Sequence, residues 1–303
     1  MKEDYYILIK NKLIDNEIYE RVKDYSKERN KVLSYFEIGK LLSEAGTRYG
    51  ENVIGEYSKK LVLDVGKKYN ERSLRRMRQF YQKFNNEKWS PLATKLTWSH
   101  YIELLSIEKY EELYYYIDVT LKNHLSKNSL REKIKSKEFY RLPEEARNKL
   151  ISNTKLELKD NIKDPIIIRT DKNVINEKVL QRVILEDIPS FLDELGEGFS
   201  FIKNEYKIKI GERYNYIDLL LYNYIYNCFV VVELKVTEYK KEYTGQIETY
   251  MNYCDKYLKT IDENPTLGLI ICKKSNSEFV VDYSSNENII AREYILRVKE
   301  RDT

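Results

Sequence analysis

In the first half of the chain, apolar residues recur at three- and four-residue intervals, the spacing that gathers side chains on one face of an α-helix. Ile18, Val22 and Tyr25 form one such series, and Val32, Tyr35, Phe36, Ile38, Leu41 and Leu42 form another. Gly46, Gly50 and Gly66 punctuate these segments, as expected of residues that interrupt helices. Between Glu51 and Phe84 two helical patterns flank Gly66-Lys-Lys-Tyr-Asn70, and the second carries an apolar stripe of Leu74, Met77, Tyr81 and Phe84. From Leu142 to Lys163 the periodicity weakens, with Pro143 and Pro165 as markers. An all-α amino-terminal domain over 1–150 is therefore expected, with a boundary before 165.

Beyond Pro165 the period changes. A helix-like stretch from Val179 to Leu195 stops at Gly196 and Gly198, a plausible helix end. Strand-like runs follow at Phe199–Ile210, Tyr214–Tyr222 and Cys228–Val236, then an amphipathic helix from Thr244 to Leu258 and an apolar strand at Thr266–Cys272. Further strands are predicted at Glu278–Tyr283 and Ile289–Leu296. A strand, helix, strand succession implies a parallel pair. The reading is α+β overall: a helical domain, then an α/β domain over 165–303 with a mixed sheet flanked by helices.

Composition narrows the chemistry. A chain of 303 residues with 42% apolar content accommodates two globular domains and excludes wholesale disorder. The longest apolar runs fall far short of the roughly 20 residues of a spanning helix, and Met1–Lys10 has no secretion-signal core. A cytoplasmic protein without a membrane partner is expected. Cys228, Cys254 and Cys272 are odd in number and form no C-x-x-C pair, so they read as reduced core residues. With only His100 and His124 available, a metal would be held by carboxylates, which favours magnesium or manganese. A net charge of +4 from 53 basic and 49 acidic residues permits nucleic-acid binding without arguing for it. The 28 tyrosines accompany many Lys, Ile and Asn, as an AT-biased genome would produce, and their number carries no functional signal.

Two charges interrupt the apolar run Cys228-Phe-Val-Val-Val-Glu-Leu-Lys-Val236. Strand alternation sends Glu233 and Lys235 to one face, where burial requires a partner or an open end. The upstream strand carries one acid, Asp218, and the polar link Asn223–Asn227 lets the two strands pair antiparallel, bringing Asp218 near Glu233. Two carboxylates make a hard-cation site, and phosphodiester hydrolysis uses a metal, an activated water and positive charge for the transition state. By itself, Glu-x-Lys also suits a solvated pair on an edge strand. On the following helix Gln246 and Tyr250 lie four apart and share a face, which an ordinary surface pair would also do.

Asp218, Glu233-Leu-Lys235, the element order and the Gln246-x-x-x-Tyr250 spacing together resemble the PD-(D/E)XK nucleases, with Ile217 where the family's Pro would stand. The resemblance implies that Asp218 and Glu233 bind the metal, Lys235 assists the attacking water, and Gln246 supports the site as in the RecB-like branch. Tyr250 joins the candidate nucleic-acid contacts. An acid on the first helix often completes such sites, and Glu186 and Glu194 are both candidates. In the helical domain Arg72, Arg75, Arg76 and Lys83 lie mostly off the apolar stripe, with Arg78 at its margin. This is what a helix-turn-helix would present to a groove, and also what a solvated basic face looks like.

Across the whole chain, Phe36-Glu-Ile-Gly-Lys40, Met77-Arg-Gln-Phe-Tyr81, Leu96-Thr-Trp-Ser-His-Tyr101 and Leu125-Ser-Lys-Asn-Ser-Leu-Arg-Glu-Lys-Ile134 are similar to the YhcG family. So are Glu194-Leu-Gly-Glu-Gly-Phe199, Tyr216-Ile-Asp-Leu-Leu220, Val232-Glu-Leu-Lys235 and Asn264-Pro-Thr-Leu-Gly-Leu-Ile-Ile-Cys272, in the same order. This sequence departs in having Asn123-His-Leu-Ser126 where that family usually has a tryptophan, and Gln181 near the place of that family's first-helix acid, which is not clearly matched. Trp98 and His100 read as core and capping residues. The resemblance implies a magnesium-dependent deoxyribonuclease acting on DNA, with a defence or mobile-element protein as a candidate partner and a homodimer favoured if both strands are cut. The rival from another class is a non-catalytic nucleic-acid-binding or assembly module that keeps the nuclease fold.

Overall fold

The computed structural model describes residues 4–21, 27–45, 52–85, 96–152, 154–274 and 286–298. The chain divides into two compact units, Met1–Ser136 and Lys137–Thr303. Residues 142–163, expected as the boundary, lie within the second unit. The anticipated strand at 278–283 and residues Val22, Tyr25, Gly46 and Gly50 fall outside the described residues.

The first unit contains α1 (Tyr5–Arg21), α2 (Lys27–Ala45), α3 (Val53–Asp64), α4 (Glu71–Phe84), α5 (Trp98–Leu104), α6 (Tyr110–Lys122) and α7 (Lys127–Lys135). Ile9 and Leu13 of α1, Tyr35, Ile38 and Leu42 of α2, Ile54 and Leu61 of α3, and Leu74 and Met77 of α4 share one core. Helices α2 and α4 pack closely because position 39 is glycine: a Cβ there would stand 2.1 Å from the Met77 carbonyl oxygen. The α4 stripe is rotated slightly from expectation, with Phe80 buried beside Leu74, Met77 and Phe84. Tyr81 instead packs edge-on against Phe36, the ring centroids 5.2 Å apart. Trp98 stands edge-on to Tyr35 and Phe80, and His100 Nδ1 lies 3.0 Å from Thr97 Oγ1 at the start of α5. The core and capping reading of these two residues holds.

The second unit begins with α8 (Glu144–Ile151) and α9 (Leu158–Asn161), followed by β1 (Ile166–Arg169), a strand that the sequence reading missed. The helix expected over 179–195 is two helices, α10 (Glu177–Glu186) and α11 (Ile188–Leu195). Asp187 separates them, its side chain accepting the Ser190 N–H while Pro189 occupies the first turn of α11, so cap and proline outweigh the continuous apolar pattern. Strands β2 (Phe199–Ile210), β3 (Arg213–Asn223) and β4 (Cys228–Leu234) precede α12 (Lys241–Tyr257), β5 (Leu267–Cys272) and β6 (Ile289–Arg297). The sheet order is β1-β6-β5-β4-β3-β2. β2, β3 and β4 are antiparallel neighbours, whereas β4, β5, β6 and β1 run parallel. One face is covered by α10 and α11, through Leu180, Val183, Ile184, Phe191 and Leu195. The other is covered by α12, through Ile247, Tyr250, Met251 and Cys254. The three cysteines are free and buried. Among the described residues no helix is long and apolar enough to cross a membrane.

Candidate active site

A break in regular strand geometry creates the site. Ile217 packs in the core beneath α12 and Leu219 in the core beneath α10 and α11, although residues two apart in a regular strand share a face. The strand therefore changes faces at Asp218. Across the ladder Glu205, between the pairs Asn204–Leu219 and Tyr206–Ile217, has φ of +46°, a left-handed conformation costing a non-glycine residue roughly 1 kcal/mol. The pairing of β3 with β4 runs from Asn223–Cys228 to Leu219–Val232. Past that point the Leu234 N–H donates to Asp218 Oδ2 at 2.8 Å. The acid's carboxylate thus takes the place of a backbone acceptor between the diverging strands.

Glu233 lies on the α12 side of β4 and is 2% exposed. Its Oε1 accepts from Lys235 Nζ at 2.7 Å, while its Oε2 is buried without a hydrogen-bond partner. Burial, then the Asp218 charge, push its carboxyl up to about 7. Burial also raises the Asp218 carboxyl, against the lowering effect of the Leu234 N–H and Lys235. For Lys235, burial lowers the pKa, but the Glu233 hydrogen bond and the surrounding acids outweigh it and the net direction is upward. The ammonium also sits 3.8 Å from Glu177 Oε1 and 5.1 Å from the centroid of the Tyr243 ring.

Asp218, Glu233 and Lys235 are brought together. Gln246 approaches through the next residue on its face of α12: its Nε2 donates to the Tyr250 hydroxyl at 3.0 Å. Tyr250 is 5% exposed within the α12 core, a packing position and not the nucleic-acid contact expected. Burial raises its hydroxyl pKa, with Glu233 and Asp218 adding to the effect, so the Gln246–Tyr250 pair backs onto the acids. Neither first-helix candidate joins the site. Glu194 turns inward to Arg141 and the Ile167 N–H, and Glu186 pairs with Lys172. Sequence reasoning missed Glu177, one turn before Gln181 on α10. Gln181 itself donates to the Asp218 carbonyl at 3.0 Å. The signal was the Asn176 cap, whose side chain accepts the Val179 N–H and sets the α10 start beside the site.

The second candidate surface is α4. Arg72, Arg75 and Arg76, with Glu71 and Gln79, line an open depression along this helix, although Arg75 is ion-paired with Glu71. Lys83 does not belong with them, because its amine donates to the Leu105 carbonyl at 3.0 Å and to that of Ile107. Burial lowers its pKa, so it is a structural lysine.

Residues 159–303 match the YhcG PDDEXK nuclease domain and residues 14–141 the DUF1016 N-terminal domain. YhcG of Escherichia coli (strain K12) is 24% identical over 288 residues, spanning 80% of this chain and 77% of that protein. Among solved structures, a repair endonuclease from Pyrococcus abyssi is 18% identical over 41% of this chain and 49% of its own, with a TM-score of 0.28. The EndoMS-dsDNA2 complex is 15% identical over 44% and 50%, with a TM-score of 0.29. The match thus spans about half of each of those two solved chains. With one family model on each of its two units, the chain belongs to the YhcG family, a DUF1016 N-terminal domain joined to a PDDEXK nuclease domain.

Proposed function

We propose that the chain is a metal-dependent deoxyribonuclease in which Asp218 and Glu233 hold magnesium or manganese and Lys235 assists the attacking water. The observation that carries this reading is the Glu233 Oε2 atom, buried and unpartnered next to a second carboxylate. A buried acceptor left unpaired costs about 1–3 kcal/mol, and a hard cation supplies the missing partner. The donor set fits: two carboxylates suit magnesium, which keeps waters and phosphate oxygens in its remaining positions. When bound, the ion supplies a polarised phosphate and a more acidic water. Lys235 contributes a fixed positive charge, held on Glu233 and over the Tyr243 ring, where a phosphate's developing charge needs it. Gln181 fixes the Asp218 backbone, and the Gln246–Tyr250 pair supports the far side. The arginine face of α4 is proposed as a DNA-binding surface of the helical unit.

The test is cleavage of supercoiled, linear and single-stranded DNA with magnesium or manganese. Asp218→Ala and Glu233→Ala are each expected to reduce the rate at least about a hundredfold. Metal-dependent cutting that survives both substitutions rejects the assignment. Binding without cutting, unaffected by either substitution, favours the non-catalytic module.

A further inference from the structure

On one face the β2–β3 hairpin runs past α10 and α11, which cover its base. Near the base, Leu219 and Leu221 lie beneath α10 and α11, with Phe201 packed against the same cluster. Past the change of face at Asp218, Tyr206, Ile208, Ile210 and Ile217 turn to the core beneath α12. The opposite face, on the α10 side, then carries Lys207, Lys209, Tyr214 and Tyr216, all exposed. They form a two-by-two array, because the register sets Lys207 opposite Tyr216 and Lys209 opposite Tyr214. Lys207 Nζ stands 3.8 Å from the centroid of the Tyr214 ring.

Lysines alone would have a simple explanation, since β2 is the outermost strand and lysine discourages edge-to-edge pairing. That does not account for Tyr214 and Tyr216, which stand on the next strand inward and are 57% and 52% exposed. Tyrosines at that exposure, spaced roughly 7 Å along one strand and alternating with cations, offer ring faces and charge together. Tyr216 is also two residues from Asp218 on the same strand.

The geometry points to this hairpin face as a stacking platform for single-stranded nucleic acid, delivering an unpaired strand towards Asp218. It deepens the nuclease reading and rests on it for the fate of the bound strand. Single strands bind by stacking bases on aromatic rings while cations track the phosphates. A duplex keeps its bases stacked inside, so it would meet the lysines and gain nothing from the tyrosine faces.

The experiment measures fluorescence anisotropy of a labelled oligothymidylate, and of a duplex of equal length, with the full chain in EDTA. Tyr214→Ala combined with Tyr216→Ala is expected to weaken single-strand binding at least about tenfold, with duplex affinity changing less than about twofold. The corresponding pair of Phe substitutions retains single-strand binding, which separates stacking from misfolding. Lys207→Ala with Lys209→Ala flattens the salt dependence on single strands by about 1.4 in log–log slope. Unchanged single-strand affinity in the double alanine variant overturns the inference, as does an equal loss on both nucleic acids or no single-strand binding by the unaltered chain. Cleavage in magnesium is followed in parallel with Asp218→Ala. Failure of the nuclease reading appears there as absent or Asp218-independent cutting, whereas failure of the platform appears in the EDTA binding data alone.

Discussion

At the scale of single residues, Glu233 shows how burial opposes the charge that its proposed metal-binding role requires. Its carboxyl stands at about 7 in the fold against an ordinary 4.5, so the folded protein prefers it protonated. For a raised acid, that contribution to stability is complete below pH 4.5 and is lost as pH rises through 7. We expect the metal-free protein to lose up to about 3 kcal/mol between those limits from this group. Glu233→Gln should abolish that part of the decline and raise the thermal midpoint at pH 8 in EDTA. The measurement is a melting series from pH 5 to 8, and a variant with the same pH dependence as the parent would refute the assignment. Asp218 is a different case, because the Leu234 N–H already satisfies one of its oxygens. Replacing it also strands a backbone donor.

At the scale of elements, close approach and buried charge decide what can be changed. A methyl group at position 39 would meet the Met77 carbonyl oxygen at 2.1 Å, so α2 and α4 would have to separate. Gly39→Ala is expected to destabilise the helical unit by about 1–3 kcal/mol, read as a lower denaturation midpoint. In the second unit, Arg141 and Glu194 form an ion pair with side-chain exposures of 7% and 5%. Lys163, close to Glu138, donates to the Asp193 carbonyl at 2.8 Å and the Glu194 carbonyl at 3.1 Å, at the end of α11. This network fastens residues 138–165 to the nuclease sheet. Arg141→Leu should cost about 3–5 kcal/mol by leaving a buried charge unpaired. Adding Glu194→Leu should restore only part of the loss, since the Ile167 N–H then loses its acceptor.

At the scale of the whole molecule, nucleic-acid affinity is expected to draw on both units, so its salt dependence reports how many cations take part. Charge reversal at Arg75 and Arg76 should weaken duplex binding at least about tenfold and flatten the log–log salt slope by about 2. Titration against sodium chloride with a labelled duplex checks this. Unchanged affinity and slope would return the α4 face to an ordinary solvated surface. Lys83 belongs to a different experiment, because its ties to Leu105 and Ile107 predict a loss of stability on substitution.

The amino-acid sequence carries the division into a helical half and a mixed-sheet half, the strands β2 to β6, and the pairing that sets Asp218 beside Glu233. Those features follow from short-range periodicity and from a link of a few residues, both local properties of the chain. It did not yield β1, a short apolar run whose strand identity comes from its parallel partner β6 more than 100 residues away, nor the break between α10 and α11. It also misplaced Lys83 and Tyr250 and left the first-helix acid open between Glu186 and Glu194, because which way a side chain turns depends on what packs against it. Packing between distant segments is what closes the Glu194 ion pair, brings Glu177 to Lys235, and leaves one oxygen of Glu233 without a partner. Burial and electrostatic coupling arise between segments distant in sequence, and no local pattern encodes them.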